Sequence, residues 1–184
     1  TPYVARGAAY ADYDRDGDLD VFLANQSGAT DALWRNDQGG FTDVAPALAI
    51  HSPGRPRTEG GVGCAIGDYD NDGDFDIFLA AYGPNKLFRN NGDATFTDVA
   101  GGTPLGAFNK AVGAAWGDAD NDGDLDVYIA AYEGDAPNQT PKGKLYRNDG
   151  PGGFVNVLAD DMPANAGDHG VEWVDADGDG DLDL

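Results

Sequence analysis

Five aspartates alternate through residues 68–76: Asp68, Asp70, Asp72, Asp74 and Asp76, with Gly73 in sixth place. Carboxylates at places one, three, five and nine of such a run can turn inward together, and the glycine permits the sharp bend that closes the loop. The chemistry this suits is capture of a hard divalent cation by oxygen ligands, calcium above all. Magnesium matches less well, because it holds its waters and seldom takes an all-protein cage. The same nine-residue pattern stands at 12–20, 118–126 and 175–183. One such run in an acidic chain could be chance. Four in phase are an architecture.

Other readings of these runs fail on their own requirements. A simple turn needs one Asp and one Gly, not alternating carboxylates. An EF-hand needs a glutamate in twelfth place and a helix on either side. Here the twelfth residue is Leu23, Leu79 or Ile129, within runs of strand character. The loops supply enough oxygen to close a site, which favours structural ions over catalytic ones. The rest of the chain offers no catalyst: His51 and His169 are the only histidines, and no nucleophile or metalloprotease signature accompanies them. Cys64 is the lone cysteine, so no internal disulfide forms, and its apolar surroundings in 61–66 suit an inert buried thiol.

The charge balance agrees with cation capture. The 184 residues include 33 acidic and 11 basic ones, a formal charge of −22 and a pI near 4.1. Nucleic acid and anionic membrane surfaces are therefore poor candidate partners, and neither nucleic-acid binding nor membrane insertion is expected. Twenty of the 33 acids lie in the four loops, and four calcium ions would bring the charge to −14. Without metal, carboxylates ~4 Å apart repel by on the order of 4 kcal/mol per pair at an effective dielectric of 20, so folding is expected to depend on the cation. A hydrophobic fraction of 41% argues against disorder. No apolar run approaches the ~20 residues of a membrane helix, and the first residues are not a signal peptide. Loops of this kind suit a millimolar-calcium exterior, so the expected location is extracellular, secreted or at the cell surface.

The elements that must hold the loops repeat with them. Successive loops start 56, 50 and 57 residues apart. Each complete loop is followed by a strand-like run (Val21-Phe22-Leu23-Ala24, Ile77-Phe78-Leu79-Ala80, Val127-Tyr128-Ile129-Ala130). Next comes Leu33-Trp34-Arg35-Asn36, Leu87-Phe88-Arg89-Asn90 or Leu145-Tyr146-Arg147-Asn148. The unit closes with Phe41-Thr42-Asp43-Val44-Ala45, Phe96-Thr97-Asp98-Val99-Ala100 or the weaker Phe154-Val155-Asn156-Val157. A small-residue run such as Gly113-Ala114-Ala115-Trp116-Gly117 precedes each loop. These segments are strand-length, β-branched or aromatic, and joined by Asn-Gly and Asp-Gly turns; no helix is expected. Four antiparallel strands per ~50 residues predict an all-β chain of β-propeller blades, with the small-residue strand innermost. The approximate blades are 1–50, 60–101 and 110–160, with a partial blade at 168–184 in a single segment 1–184. Three and a half blades imply a part of a larger propeller, or an open unit completed by another copy.

These motifs together resemble the FG-GAP/VCBS repeats, calcium-binding propellers related to the integrin α-subunit head and common in secreted and surface proteins. The resemblance covers essentially the whole chain. It implies about one Ca2+ per repeat, up to four, with side-chain ligands at Asp12, Asp14, Asp16 and Asp20; Asp68, Asp70, Asp72 and Asp76; Asp118, Asp120, Asp122 and Asp126; and Asp175, Asp177, Asp179 and Asp183. It assigns a backbone carbonyl ligand to Asp18, Asp74, Asp124 and Asp181. The fourth repeat departs in carrying Glu172 where the third has Ala115, and its metal site is expected to be less complete.

The function expected is a non-enzymatic module that serves as a structural or adhesive scaffold, or binds a protein or glycan. Alternatives are a self-assembling ring or filament subunit, or a fragment of a calcium-dependent polysaccharide lyase or lectin. The once-per-blade Arg35, Arg89 and Arg147 are read as scaffold pairs to nearby carboxylates. Trp34, Phe88 and Tyr146 are read as packing between blades, and Trp116 and Trp173 as core. Two loops break the repeat and are candidates for partner contact. They are 45–61, with His51, Arg55 and Arg57, and 133–144, with Lys142 and Lys144. Asn25 and Asn138 begin N-glycosylation sequons.

Overall fold

The computed structural model describes residues 5–25, 30–50, 60–107, 110–131, 143–158 and 170–183. Three four-stranded antiparallel sheets follow one another along the chain, each with its strands in sequence order. The first holds β1 (Ala5–Ala11), β2 (Asp20–Asn25), β3 (Ala32–Asp37) and β4 (Gly40–Asp43). The second holds β5 (Gly60–Gly67), β6 (Asp76–Tyr82), β7 (Lys86–Asn90) and β8 (Phe96–Asp98). The third holds β9 (Ala111–Gly117), β10 (Asp126–Ala131), β11 (Lys144–Asn148) and β12 (Phe154–Asn156). This is the all-β blade architecture the motifs predict. In the fourth repeat, the described pairing is one antiparallel bridge between Val174 and Asp183.

Strand-length apolar runs become blades because their alternate side chains feed two cores at once. On β6, Ile77 and Leu79 pack toward the first blade, beside Phe22, Ala24, Leu33 and Phe88. Phe78 and Ala80 point the other way and join Val127, Ile129, Tyr146 and Phe154. The middle of a propeller strand is thus buried on both faces, unlike the strand of a one-faced sheet.

The innermost strands approach one another at glycine. A Cβ on Gly7 would fall 2.9 Å from Gly63 Cα, and one on Gly63 would fall 2.8 Å from Gly113 Cα. Each of these glycines follows a β-bulge, where the register slips by one residue. The bulge turns the strand just where neighbouring backbones crowd, a feature the sequence pattern does not announce.

Two single-turn helices were not expected: α1 (Ala45–Leu48) and α2 (Pro104–Ala107). Each follows the outermost strand and seats an apolar side chain under the blades; Ala45, Ile50 and Leu105 are fully buried. Four residues are too few to show helical periodicity, so the apolar residues there read only as loop. Trp34 also departs from expectation. Its counterparts Phe88 and Tyr146 are buried between blades, whereas Trp34 is 37% exposed because no preceding blade covers that side of the first sheet in the described structure.

Candidate metal centres

Each acidic loop joins the innermost strand of a blade to the second, so the β1–β2, β5–β6 and β9–β10 pairings bring its two ends together. Inside the loop the fourth residue takes a left-handed conformation, at φ 60° for Arg15, 57° for Asn71 and 59° for Asn121. Glycine in sixth place does the same, at φ 94° for Gly17 and 91° for Gly73. These two reversals curl the chain so that the carboxylates converge.

The first carboxylate braces the bend. Asp12 accepts the N–H groups of Asp16 and Gly17, both at 3.0 Å. Asp68 and Asp118 do the same in their own loops. The fifth carboxylate accepts the seventh residue's N–H, as in Asp16 to Asp18 (2.9 Å), Asp72 to Asp74 (2.9 Å) and Asp122 to Asp124 (2.9 Å). The ninth ties the loop to the blade. Asp76 accepts from Tyr69 N (3.1 Å) with one oxygen and from Asn90 N (2.8 Å) with the other. Asp20 does so with Tyr13 and Asn36, and Asp126 with Ala119 and Asn148.

The carboxylates converge as well. In each of four clusters, one oxygen per residue lies within 4.8 Å of the others: Asp12, Asp14 and Asp20; Asp68, Asp70 and Asp76; Asp118, Asp120 and Asp122; Asp175, Asp177 and Asp183. The fourth cluster is exposed throughout. Its first aspartate also braces differently, with Asp175 accepting from Gly178 (2.7 Å) and Gly180 (3.1 Å). The seventh-place side chains point away from the clusters. Asp74 pairs with Arg15 at 2.9 Å, Asp124 accepts from Asn71 at 2.7 Å, and Asp181 accepts from Asn121 at 2.8 Å.

The electrostatics are those of sites short of positive charge. Burial, reinforced by Asp70 and Asp72, pushes the Asp76 carboxyl up to about 7 despite its two backbone hydrogen bonds. Burial also raises Asp14, Asp20, Asp70 and Asp126, and neighbouring carboxylates add to the effect. One buried atom decides whether a cation fits. Asp14 Oδ1 is shielded from solvent and has no hydrogen-bond partner. A buried anionic oxygen left unpaired is costly, and a cation among Asp12, Asp14 and Asp20 would satisfy it. An all-oxygen, carboxylate-rich donor set is that of a hard divalent ion.

The FG-GAP-like repeat model matches the chain three times, at residues 12–79, 68–129 and 130–184. The chain belongs to the FG-GAP-like repeat family. The first two matches of this family begin at Asp12 and Asp68, the opening aspartates of their loops. A comparison with curated proteins found no match.

Within the FG-GAP-like frame, the in-phase arginines act as scaffold. Arg35 forks onto Asp37 at 2.9 and 3.2 Å, and Arg147 onto Asp149 at 2.6 and 3.3 Å. Arg89 lies close enough to Asp70 to offset part of its raised pKa. Trp116 packs among Tyr69, Phe78 and Phe154, and Trp173 lies over Gly117 with its indole N–H on Ala115 O (3.3 Å). Cys64 is half-buried in the first interblade core, and burial pushes its thiol up to about 12, in keeping with an inert group. Asn25 is buried, and its amide donates to Thr30 O (2.7 Å), which leaves no room for a glycan there. His51, Arg55, Arg57, Asn138, Lys142 and His169 lie outside the described residues.

The asparagine of the Leu-aromatic-Arg-Asn motif is the residue the sequence reading passed over. Asn90 and Asn148 receive the ninth carboxylate of their own loop on the backbone and reach with the side-chain amide into the preceding blade. Its signal was its recurrence in phase with the loops.

Proposed function

We propose that the chain is a calcium-stapled propeller module working outside the cell as a non-enzymatic scaffold, structural or adhesive, that presents its surface to a protein or glycan ligand. The observation that carries this reading is the buried, unpartnered Asp14 oxygen within one of four in-phase carboxylate clusters. Calcium would be held by Asp12, Asp14, Asp16 and Asp20 and their counterparts, with the carbonyl of the seventh residue completing the cage. It would join the two innermost strands at one end of each blade. An extracellular setting supports weak sites, because modules there work at Kd values on the order of 10⁻⁴ to 10⁻³ M.

Calorimetric titration of the metal-stripped protein tests it, with circular dichroism on the same samples. Three to four equivalents of calcium should bind, magnesium should bind at least about tenfold more weakly, and the β-sheet signal should sharpen with loading. Absence of calcium heat and of any spectral response would overturn the reading.

A second reading, association of copies through an open blade face, is favoured by one observation. Tyr10, Trp34 and Phe41 are 66%, 37% and 51% exposed on the first blade. The corresponding Ile66, Phe88 and Phe96 of the second blade turn into an interblade core. Light scattering across a concentration series separates the two readings, since a monomer at every concentration rules out the second.

A further inference from the structure

We propose that Arg15, Asn71 and Asn121 are coupling residues, through which an ion bound in one loop raises the affinity of the next. The inference rests on the calcium reading above and concerns how the sites communicate.

The three residues occupy the same place, fourth in loops 12–20, 68–76 and 118–126, and all are left-handed. Each reaches out of its own loop to the seventh aspartate of the following one. Arg15 Nε lies 2.9 Å from Asp74 Oδ1. Asn71 Nδ2 donates to Asp124 Oδ1 at 2.7 Å and to Gly123 O at 3.3 Å. Asn121 Nδ2 donates to Asp181 Oδ1 at 2.8 Å. The fourth residue can aim its side chain only when its loop is curled. The seventh aspartate is the residue whose carbonyl the calcium reading assigns as a ligand, so clasping its side chain pins that carbonyl's segment.

A second lane runs deeper. Asp20 accepts from Tyr13 N, Tyr13 O accepts from Asn90 Nδ2 (2.9 Å), and Asn90 N donates to Asp76. The same relay continues from Asp76 through Tyr69 and Asn148 (2.8 Å) to Asp126. Neighbouring first, second and third loops thus share two links, whereas between the third and fourth the described loop-to-loop bond is Asn121 to Asp181.

Without an ion, carboxylate repulsion would favour an open loop, and a bound ion would favour the curled form seen here, so each loop would act as a two-state element that its neighbour biases. Ordering one loop removes part of the ordering its neighbour would otherwise need, and the coupling is reciprocal.

One glycine amide reports on each loop. Gly17, Gly73, Gly123 and Gly180 donate to the first carboxylate at 3.0, 2.8, 3.0 and 3.1 Å. The full chain, labelled with 15N-glycine and stripped of metal, would be titrated with calcium alone while circular dichroism tracks global folding. In the unaltered chain, Gly123 and Gly180 should share a midpoint on a curve steeper than a single-site isotherm. Asn121→Gly keeps every carboxylate, and glycine already stands at this place as Gly178 at φ 79°. In that variant the Gly180 midpoint should move at least about threefold higher in calcium, while that of Gly17 stays within about twofold. Asn71→Gly should separate Gly73 from Gly123 by less, because Asn148 still joins those loops. Four independent single-site curves in the unaltered chain, or a Gly180 midpoint that Asn121→Gly leaves in place, would overturn the coupling while leaving calcium binding intact. Silence at all four glycines would remove the metal reading and the coupling with it.

Discussion

The side-chain amide of Asn90 donates to the carbonyl of Tyr13, 77 residues earlier and one blade away, at 2.9 Å. The same asparagine receives Gly92 N on its oxygen and gives its backbone N–H to Asp76, so it has no polar group to spare. It is 1% exposed. Asn90→Ala would leave Tyr13 O buried without this partner, while the exposed Gly92 N would turn to solvent. A loss of about 2–3 kcal/mol is expected from stranding one buried group and losing an exposed bond. Asn36 makes the same bonds within its own blade but none described to another, and is half-buried. Asn36→Ala should cost about 1 kcal/mol. Urea unfolding in saturating calcium measures both, and equal costs would sink the interblade role.

Asp74 and Asp76 are two residues apart and do opposite work. Asp76 belongs to a carboxylate cluster, whereas Asp74 turns outward to Arg15. Asp76→Asn should remove one equivalent from the calcium stoichiometry. Asp74→Asn should retain the full count, because only the seventh residue's carbonyl is needed there. Loss of an equivalent in Asp74→Asn would mean that the side chain itself is a ligand.

Acidity should act on the empty and loaded forms in opposite directions. The folded Asp76 carboxyl, raised to about 7 by burial, titrates above its ordinary value. A group raised in this way contributes stability at low pH that is lost as pH rises through the folded pKa. Asp14, Asp20, Asp70 and Asp126 are shifted in the same direction. Metal-stripped protein should therefore melt at a higher temperature at pH 5 than at pH 8. The calcium-loaded protein should melt lower at pH 5, because its ligands must be ionised to bind. Parallel pH series of Tm, with and without calcium, check the crossing, and a stripped form that loses stability on acidification would contradict it.

The glycine contacts between innermost strands give a matched pair. Gly63→Ala places a methyl 2.8 Å from Gly113 Cα, in backbone that cannot rotate away. Gly113→Ala meets nothing nearer than Ala130 Cβ at 3.9 Å. The first should cost about 1–3 kcal/mol through overpacking, and the second should be near neutral. Comparable losses in thermal melts would show that strand propensity, not crowding, sets the cost.

Much of this was legible because the chain states it several times. Asp68 to Asp76, the strand run that follows and the Leu-aromatic-Arg-Asn motif recur in register, and recurrence exposed both blade and loop. What the repeat hid was whatever joins one repeat to the next. Asn90 was visible as a motif letter, but its target Tyr13 O is a backbone atom with no sequence signature. Arg15 and Asn71 differ in type, so their shared clasp on the next loop could not be read from composition. The bulges before Gly7, Gly63 and Gly113 were silent for the same reason, being set by the approach of neighbouring backbones. Trp34 was misread because its sequence neighbours match those of Phe88 while its spatial neighbours do not.

Strand β6 works as a party wall. Leu79 belongs to the room on one side and Phe78 to the room on the other, so neither core is the property of a single blade. Damage to the wall is therefore addressed by parity: a truncation at 77 or 79 loosens the first blade against the second, and one at 78 or 80 loosens the second against the third. A blade cut out alone would have two outer walls and no room at all. The smallest piece of this chain with an interior is a pair.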